Sequence, residues 1–268
     1  MLVFRDVSLS FGGVRAIDNL SFSVADGAVC ALIGPNGAGK TSVLNVVNGF
    51  YQPQKGSVHY GEVDLLRLPS YRVIDKGIAR SFQNVALFSE LSVVDNMLVG
   101  ADHRGSSGLL GNLFRLPASR THERTARQMA DRVLKFLDIT HLRERRAGEL
   151  SFGDRKLVDM GRALMAAPSL LLLDEPAAGL AEEQKGWLGD VIGRIPAEFG
   201  ATVLLIDHDM GLVLRVSSHV VVMEFGRKIS DGTPDQVRRD PKVIAAYLGG
   251  EVPPSTGADG PGSPGDHR

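Results

Sequence analysis

The chain has 268 residues, 43% of them hydrophobic and 23% charged, an ordinary globular composition with enough apolar residues to bury a core. Lys+Arg 30 against Asp+Glu 31 leave a formal net charge of -1, which removes the bulk electrostatic case for nucleic acid as a partner. A single cysteine, Cys30, excludes a disulfide within the chain and fits a reducing compartment, and no apolar run reaches the roughly 20 residues that cross a bilayer.

Between Leu2 and Val29 the chain reads as alternating strands, LVFRDVSLSF and NLSFSV, broken by Gly12, Gly13 and the Asp26-Gly27 turn, which predicts an antiparallel β-portion. From Ala28 the texture changes. VCALI, SLLLLDE and ATVLLIDHD are continuous apolar runs that end in polar residues and alternate with helical stretches. That pattern predicts a parallel sheet covered on both faces, with its chemistry at the strand C-termini. The middle, about 84–166, is helical in pattern, with Ala126, Met129, Ala130, Val133, Leu134 and Leu137 on one stripe. It reads as a helical subdomain inserted into an α/β core. Within it ADHRGSSGLLGNLFRLPASR, about 101–120, reads as a short helix between loops. HVVVMEFGRKISDGT predicts a hairpin around Gly226, and PDQVRRDPKVIAAYLGG predicts terminal helices. The end, 250–268, is rich in Pro, Gly, Ser and Asp and nearly empty of large apolar residues, so it is expected to be a disordered tail on a domain spanning 2–249.

The segment GPNGAGKT, Gly34 to Thr41, lies where VCALI gives way to TSVLNVVNGF. Its glycines reach φ > 0 at little cost and let backbone N–H groups point inward at an anion. The spacing fits the phosphate loop G-x-x-x-x-G-K-[ST], which takes Gly34, Pro35, Asn36, Gly37, Ala38, Gly39, Lys40, Thr41 and Ser42 as nucleotide contacts. Lys40 then reaches the β/γ oxygens of ATP and the Thr41 hydroxyl sits on Mg²⁺. LLLLDE is a buried strand ending in two acids. A phosphate loop needs such a strand for its metal, with Asp174 near Mg²⁺ and Glu175 left to orient or deprotonate a water.

LSFGD, Leu150 to Asp154, stands 24 residues before Asp174 and resembles the signature motif of the ATP-binding-cassette (ABC) ATPases, commonly LSGGQ. Further pieces follow in that family's order: Phe11 where an aromatic stacks on adenine, Gln83 of ARSFQN at the lid loop, where it serves metal and catalysis, and His208 of LLIDHDM at the switch. Taken singly, Phe11 is equally a packed strand aromatic, Gln83 a loop glutamine and His208 a surface histidine. The resemblance covers about Leu2 to Gly249 and implies a P-loop NTPase of ABC type. Phe152 and Asp154 depart from the signature pattern, while Ser151 and Gly153, the pair expected at the γ-phosphate, are kept. In PAAGLAEEQ, Ala181 stands where many relatives carry Asp or Asn.

In this family the phosphate loop and the signature face apart, so the resemblance implies a head-to-tail dimer with a second ABC ATPase subunit. It also implies docking on two membrane permease subunits, at the cytoplasmic face of the membrane, with an extracytoplasmic binding protein engaged indirectly. ARSFQN, the RGSSGLLGNLFRLP insertion, PAAGL, IDHDM and GTPDQVRRDPKVIAAYLG together look like the ATPase subunit of branched-chain amino acid importers. Urea, amides and aromatic acids are the alternative substrates in that branch. A soluble cassette acting on ribosomes or DNA would carry two cassettes or a long coiled-coil insertion, and neither is visible.

Overall fold

Strand β1 (Leu2–Phe11) turns at Gly12 and pairs antiparallel with β2 (Val14–Val24), as its alternating buried and exposed residues require. In this computed structural model, which describes residues 1–81, 86–101 and 117–248, two further strands complete a small sheet. They are β4 (Lys55–Tyr60) and β5 (Val63–Asp64), in the order β2-β1-β4-β5. The sequence pattern revealed neither. β2 also begins five residues before the NLSFSV run.

The second sheet contains β3 (Val29–Ile33), β6 (Ile78–Ser81), β7 (Leu170–Asp174), β8 (Thr202–Ile206), β9 (His219–Glu224) and β10 (Arg227–Gly232). Its order is β10-β9-β3-β8-β7-β6, parallel apart from the β9–β10 hairpin. The strands β3, β7 and β8 are buried along their whole length, which is why they read as unbroken apolar runs.

Strand periodicity divides these side chains between two cores. Cys30, Leu32, Leu170, Leu172, Leu204 and Ile206 face α1 (Lys40–Val47) and the small sheet. Ala31, Ile33, Leu171, Leu173, Val203 and Leu205 face the opposite way. That second core is covered by α2 (Val93–Ala101), α3 (Pro117–Phe136), α4 (Phe152–Met165), α5 (Glu182–Phe199) and α6 (Met210–Val216). Each fully buried Leu or Ile contributes about 1.5–3 kcal/mol relative to exposure, so the two cores together fix the relative position of the strand tips.

Within 84–166 the described residues form the helices α2, α3 and α4. Ala130, Val133, Leu134 and Leu137 are buried, while Ala126 and Met129 are only partly so. Helices α2 and α4 touch closely enough that a Cβ on Gly100 would lie 2.1 Å from the Arg162 carbonyl oxygen. The chain ends its described part in α7 (Pro234–Arg239) and α8 (Pro241–Leu248). Gln83, residues 102–116 of the insertion and the tail from residue 249 lie outside the described residues.

Candidate nucleotide site

The phosphate loop, Asp174, Glu175 and His208 gather at the tips of β3, β7 and β8, on one edge of the large sheet. At the end of β3, Gly34 takes φ 151 and Gly39 takes φ 100. A Cβ on Gly34 would lie 2.0 Å from the Met223 carbonyl oxygen, and one on Gly39 would lie 2.1 Å from that of Ala16. Only glycine fits, because β9 and β2 back directly onto the loop. Gly39 caps α1 with no side-chain hydrogen bond, leaving the first amides of that helix for another acceptor. An anion is the natural one, since those amides and the helix dipole both favour negative charge.

Lys40 is buried, and its Nζ donates to the carbonyl oxygens of Gly34 at 2.7 Å and Pro35 at 3.0 Å. Burial pushes this ammonium below its ordinary pKa, and the carboxylates of Glu175 and Asp174 oppose that shift. At the tip of β7, Asp174 is 2% exposed. Its Oδ2 accepts from Arg80 Nη2 on β6 at 2.6 Å, and Arg80 Nη1 donates to Asn45 of α1 at 2.7 Å. Asp174 Oδ1 is buried with no hydrogen-bond partner among the described residues. This is an acceptor suited to a cation, directly or through water.

Glu175 adopts φ 48, the left-handed region that non-glycine residues enter at a cost of about 1–3 kcal/mol. Its N–H donates to Ile206 O at 2.7 Å, tying it to the end of β8. His208 follows β8, with Nδ1 4.0 Å from Glu175 Oε2 and 3.8 Å from Asp207 Oδ1. The buried Asp207 braces both segments, accepting from the amides of Ala177 at 3.1 Å and Asp209 at 3.0 Å. An open cleft is lined by Gly34, Pro35, Asn36, Glu175, His208, Ala246 and Tyr247. No group of three or more His, Cys, Asp or Glu among the described residues forms an all-protein metal cage. Such a cage is not needed where a metal takes one carboxylate, one hydroxyl and phosphate oxygens.

The sequence profile of the ABC transporter family matches residues 17–178, and that of the branched-chain amino acid ATP-binding cassette transporter matches residues 227–253. The chain is 41% identical to the high-affinity branched-chain amino acid transport ATP-binding protein BraF of Pseudomonas aeruginosa, over 93% of this chain and 98% of that one. It is 35% identical to the high-affinity branched-chain amino acid transport ATP-binding protein LivG of Escherichia coli K12, over the same shares. The chain belongs to the ABC transporter family. A solved ATP-binding cassette in its ADP conformation superposes at a TM-score of 0.79 with 33% identity, covering 93% of this chain and 99% of the other.

In this ABC cassette the phosphate loop, Asp174, Glu175 and His208, all predicted from motif order, lie on one edge of one sheet. Phe11 is 47% exposed at the end of β1, edge-on to Tyr51 with ring centroids 4.9 Å apart. Ser151 and Gly153 stand at the start of α4, outside the residues that line the cleft. The Ser151 Oγ caps that helix, accepting from Asp154 N at 3.1 Å and donating to Asp154 Oδ2 at 2.7 Å. The departure at Asp154 therefore places a carboxylate on the signature hydroxyl. Ala181, the other departure, caps α5 without a side-chain acceptor, its N–H donating to Gln184 Oε1 at 3.1 Å.

Three residues at the site carry no motif signal. Arg80 binds Asp174 only because β6 pairs with β7. Lys156 of α4 donates to the Glu175 and Pro176 carbonyls. Tyr247 of α8 reaches the cleft, where burial raises its pKa and the Gly34 N–H opposes that shift.

Proposed function

We propose that this cassette is the ATP-hydrolysing subunit of a branched-chain amino acid importer, working as a dimer on the cytoplasmic face of two membrane permeases. The ATP-binding part rests on the convergence of Lys40, Asp174, Glu175 and His208 at the tips of β3, β7 and β8. The substrate class rests on the C-terminal match at 227–253 and on the similarity to the branched-chain amino acid transport proteins BraF and LivG.

The described residues take roles that fit their placement, and Gln83 takes the one its motif implies. The amides of the loop from Gly34 to Ser42 and the N-terminus of α1 receive the phosphates, and Lys40 exchanges its two loop carbonyls for phosphate oxygens. Thr41, Asp174 and Gln83 are the residues to hold Mg²⁺; the unpartnered Asp174 Oδ1 is the observation that fits it. When bound, Mg²⁺ neutralises charge developing on the phosphate oxygens. Glu175 orients the attacking water and takes its proton, and His208, with Nδ1 4.0 Å from Glu175 Oε2, is the residue proposed to sense the γ-phosphate. Phe11 offers its exposed ring to the adenine. Ser151 and Gly153, outside the lining of their own chain's cleft, reach the γ-phosphate held by a second subunit. Two such sites form together, so ATP joins the subunits and hydrolysis releases them.

No helix among the described residues is long and apolar enough to cross a membrane. A groove between the large sheet and helices α2 and α4 is lined by Phe50, Arg80, Phe88, Val99 and Arg162, among others. Phe50 and Phe88 are more than half exposed there, and a permease loop with an apolar tip is the proposed occupant. Co-expression with a cognate permease pair should bring the chain into the membrane fraction and support leucine uptake. Phe88→Ala should lower recovery while ATP binding by the free subunit is retained. Uptake of urea but not leucine would replace the substrate, and a chain that stays out of the membrane fraction would remove the importer reading.

A further inference from the structure

We infer that Lys156 is a positioning residue for Glu175, and that through it the signature turn of each subunit is fastened to that subunit's own hydrolytic carboxylate. The inference rests on the proposed role of Glu175 as the residue that activates water.

Glu175 holds its unfavourable left-handed backbone because its neighbours over-determine it. Ile206 O accepts from the Glu175 N–H on one side, and the Asp207 carboxylate accepts from Ala177 N on the other. Lys156 supplies the third restraint, with Nζ donating to Glu175 O at 2.8 Å and Pro176 O at 3.3 Å. It is 8% exposed, and α4 brings it there from outside the strand tips. Burial depresses its pKa, and the carboxylates of Asp207, Glu175, Asp159 and Asp174 oppose that shift. These bonds are charge-assisted, hence stronger than those between neutral groups.

The same cation sits 5.3 Å from the centre of the Phe152 ring. Phe152, where the signature pattern has glycine, packs on Gly179, close enough that a Cβ there would lie 2.9 Å from its ring. Gly153 faces Leu180. The start of α4 therefore rests on the segment that follows β7, and Lys156 runs from that start to Glu175. In the proposed dimer, Ser151 of one chain touches the nucleotide of the other, while Glu175 serves its own chain's nucleotide. A displacement at one site thus reaches the carboxylate of the second through five residues of one helix.

The test compares Lys156→Met, Lys156→Arg and Glu175→Gln in the full chain, by steady-state ATP hydrolysis and by equilibrium binding of a fluorescent ATP analogue. In Lys156→Met we expect kcat to fall about a hundredfold, as for a misplacement of about 1 Å, with nucleotide affinity within about twofold of wild type. Lys156→Arg, which retains donors and charge, should recover kcat to within about tenfold of wild type. A Lys156→Met enzyme within about threefold of the wild-type kcat overturns the inference, as does an equal loss of kcat and affinity. If Lys156→Met fails to fold, Lys156→Arg decides: a folded enzyme as inactive as Glu175→Gln overturns it. If Glu175→Gln itself turns over at the wild-type rate, the role of Glu175 fails instead.

Discussion

Replacing Arg80 by Met isolates an interaction that no motif announces. The Arg80 and Asp174 side chains are 6% and 2% exposed, so solvent screening cannot soften the loss of the cation. Removing one partner of a buried pair leaves the other charge uncompensated, which costs about 3–5 kcal/mol. For a chain of this size each kcal/mol moves Tm by about 2–4 °C, so Arg80→Met should melt about 6–20 °C below wild type. The loss of the 2.7 Å bond to Asn45 adds to the cost in the same direction. Circular dichroism of the nucleotide-free chain at neutral pH reads the shift. Arg80→Met/Asp174→Asn, in which neither charge remains, should recover a substantial part of it, because the penalty belongs to the stranded carboxylate and not to lost packing. A single variant melting within about 2 °C of wild type would refute the reasoning. So would a double variant no more stable than the single one.

Gly100→Ala should destabilise by about 1–3 kcal/mol, measured by urea unfolding, because the added methyl meets the Arg162 carbonyl at 2.1 Å and α2 must shift on α4. An unchanged midpoint would show that the two helices yield freely. Cys30, 1% exposed, has its thiol pKa pushed up to about 12 by burial, with Asp231 adding to the shift. Ellman's reagent at pH 8 should therefore find no reactive thiol in the native chain and one in guanidinium. A native chain that reacts promptly would place Cys30 outside the core.

The sequence exposed those parts of the fold whose chemistry is local. The runs at β3, β7 and β8 are apolar throughout because both faces of the strands are covered, and the phosphate loop is legible because Gly34 and Gly39 occupy backbone positions closed to other residues. β4 and β6 escaped notice for opposite reasons. β4 carries a single fully buried side chain, Val58, and β6 is a four-residue edge strand paired, among the described residues, only with β7. Arg80 and Lys156 look like solvated cations in sequence, since nothing local distinguishes a cation that meets a carboxylate 94 residues away or a carbonyl 19 residues away. Tyr247 reads as an ordinary helix residue until α8 folds back to the cleft.

The composite site is the centre of the account, and sedimentation of Glu175→Gln with ATP tests it most directly. With hydrolysis stopped, ATP should convert this variant from monomer to dimer, each nucleotide held by Lys40 of one chain and by Ser151 and Gly153 of the other. Adding Ser151→Arg puts a bulky side chain where a small hydroxyl is required, so the double variant should remain monomeric while still binding nucleotide. A double variant that dimerises with ATP as readily as Glu175→Gln alone would contradict the account.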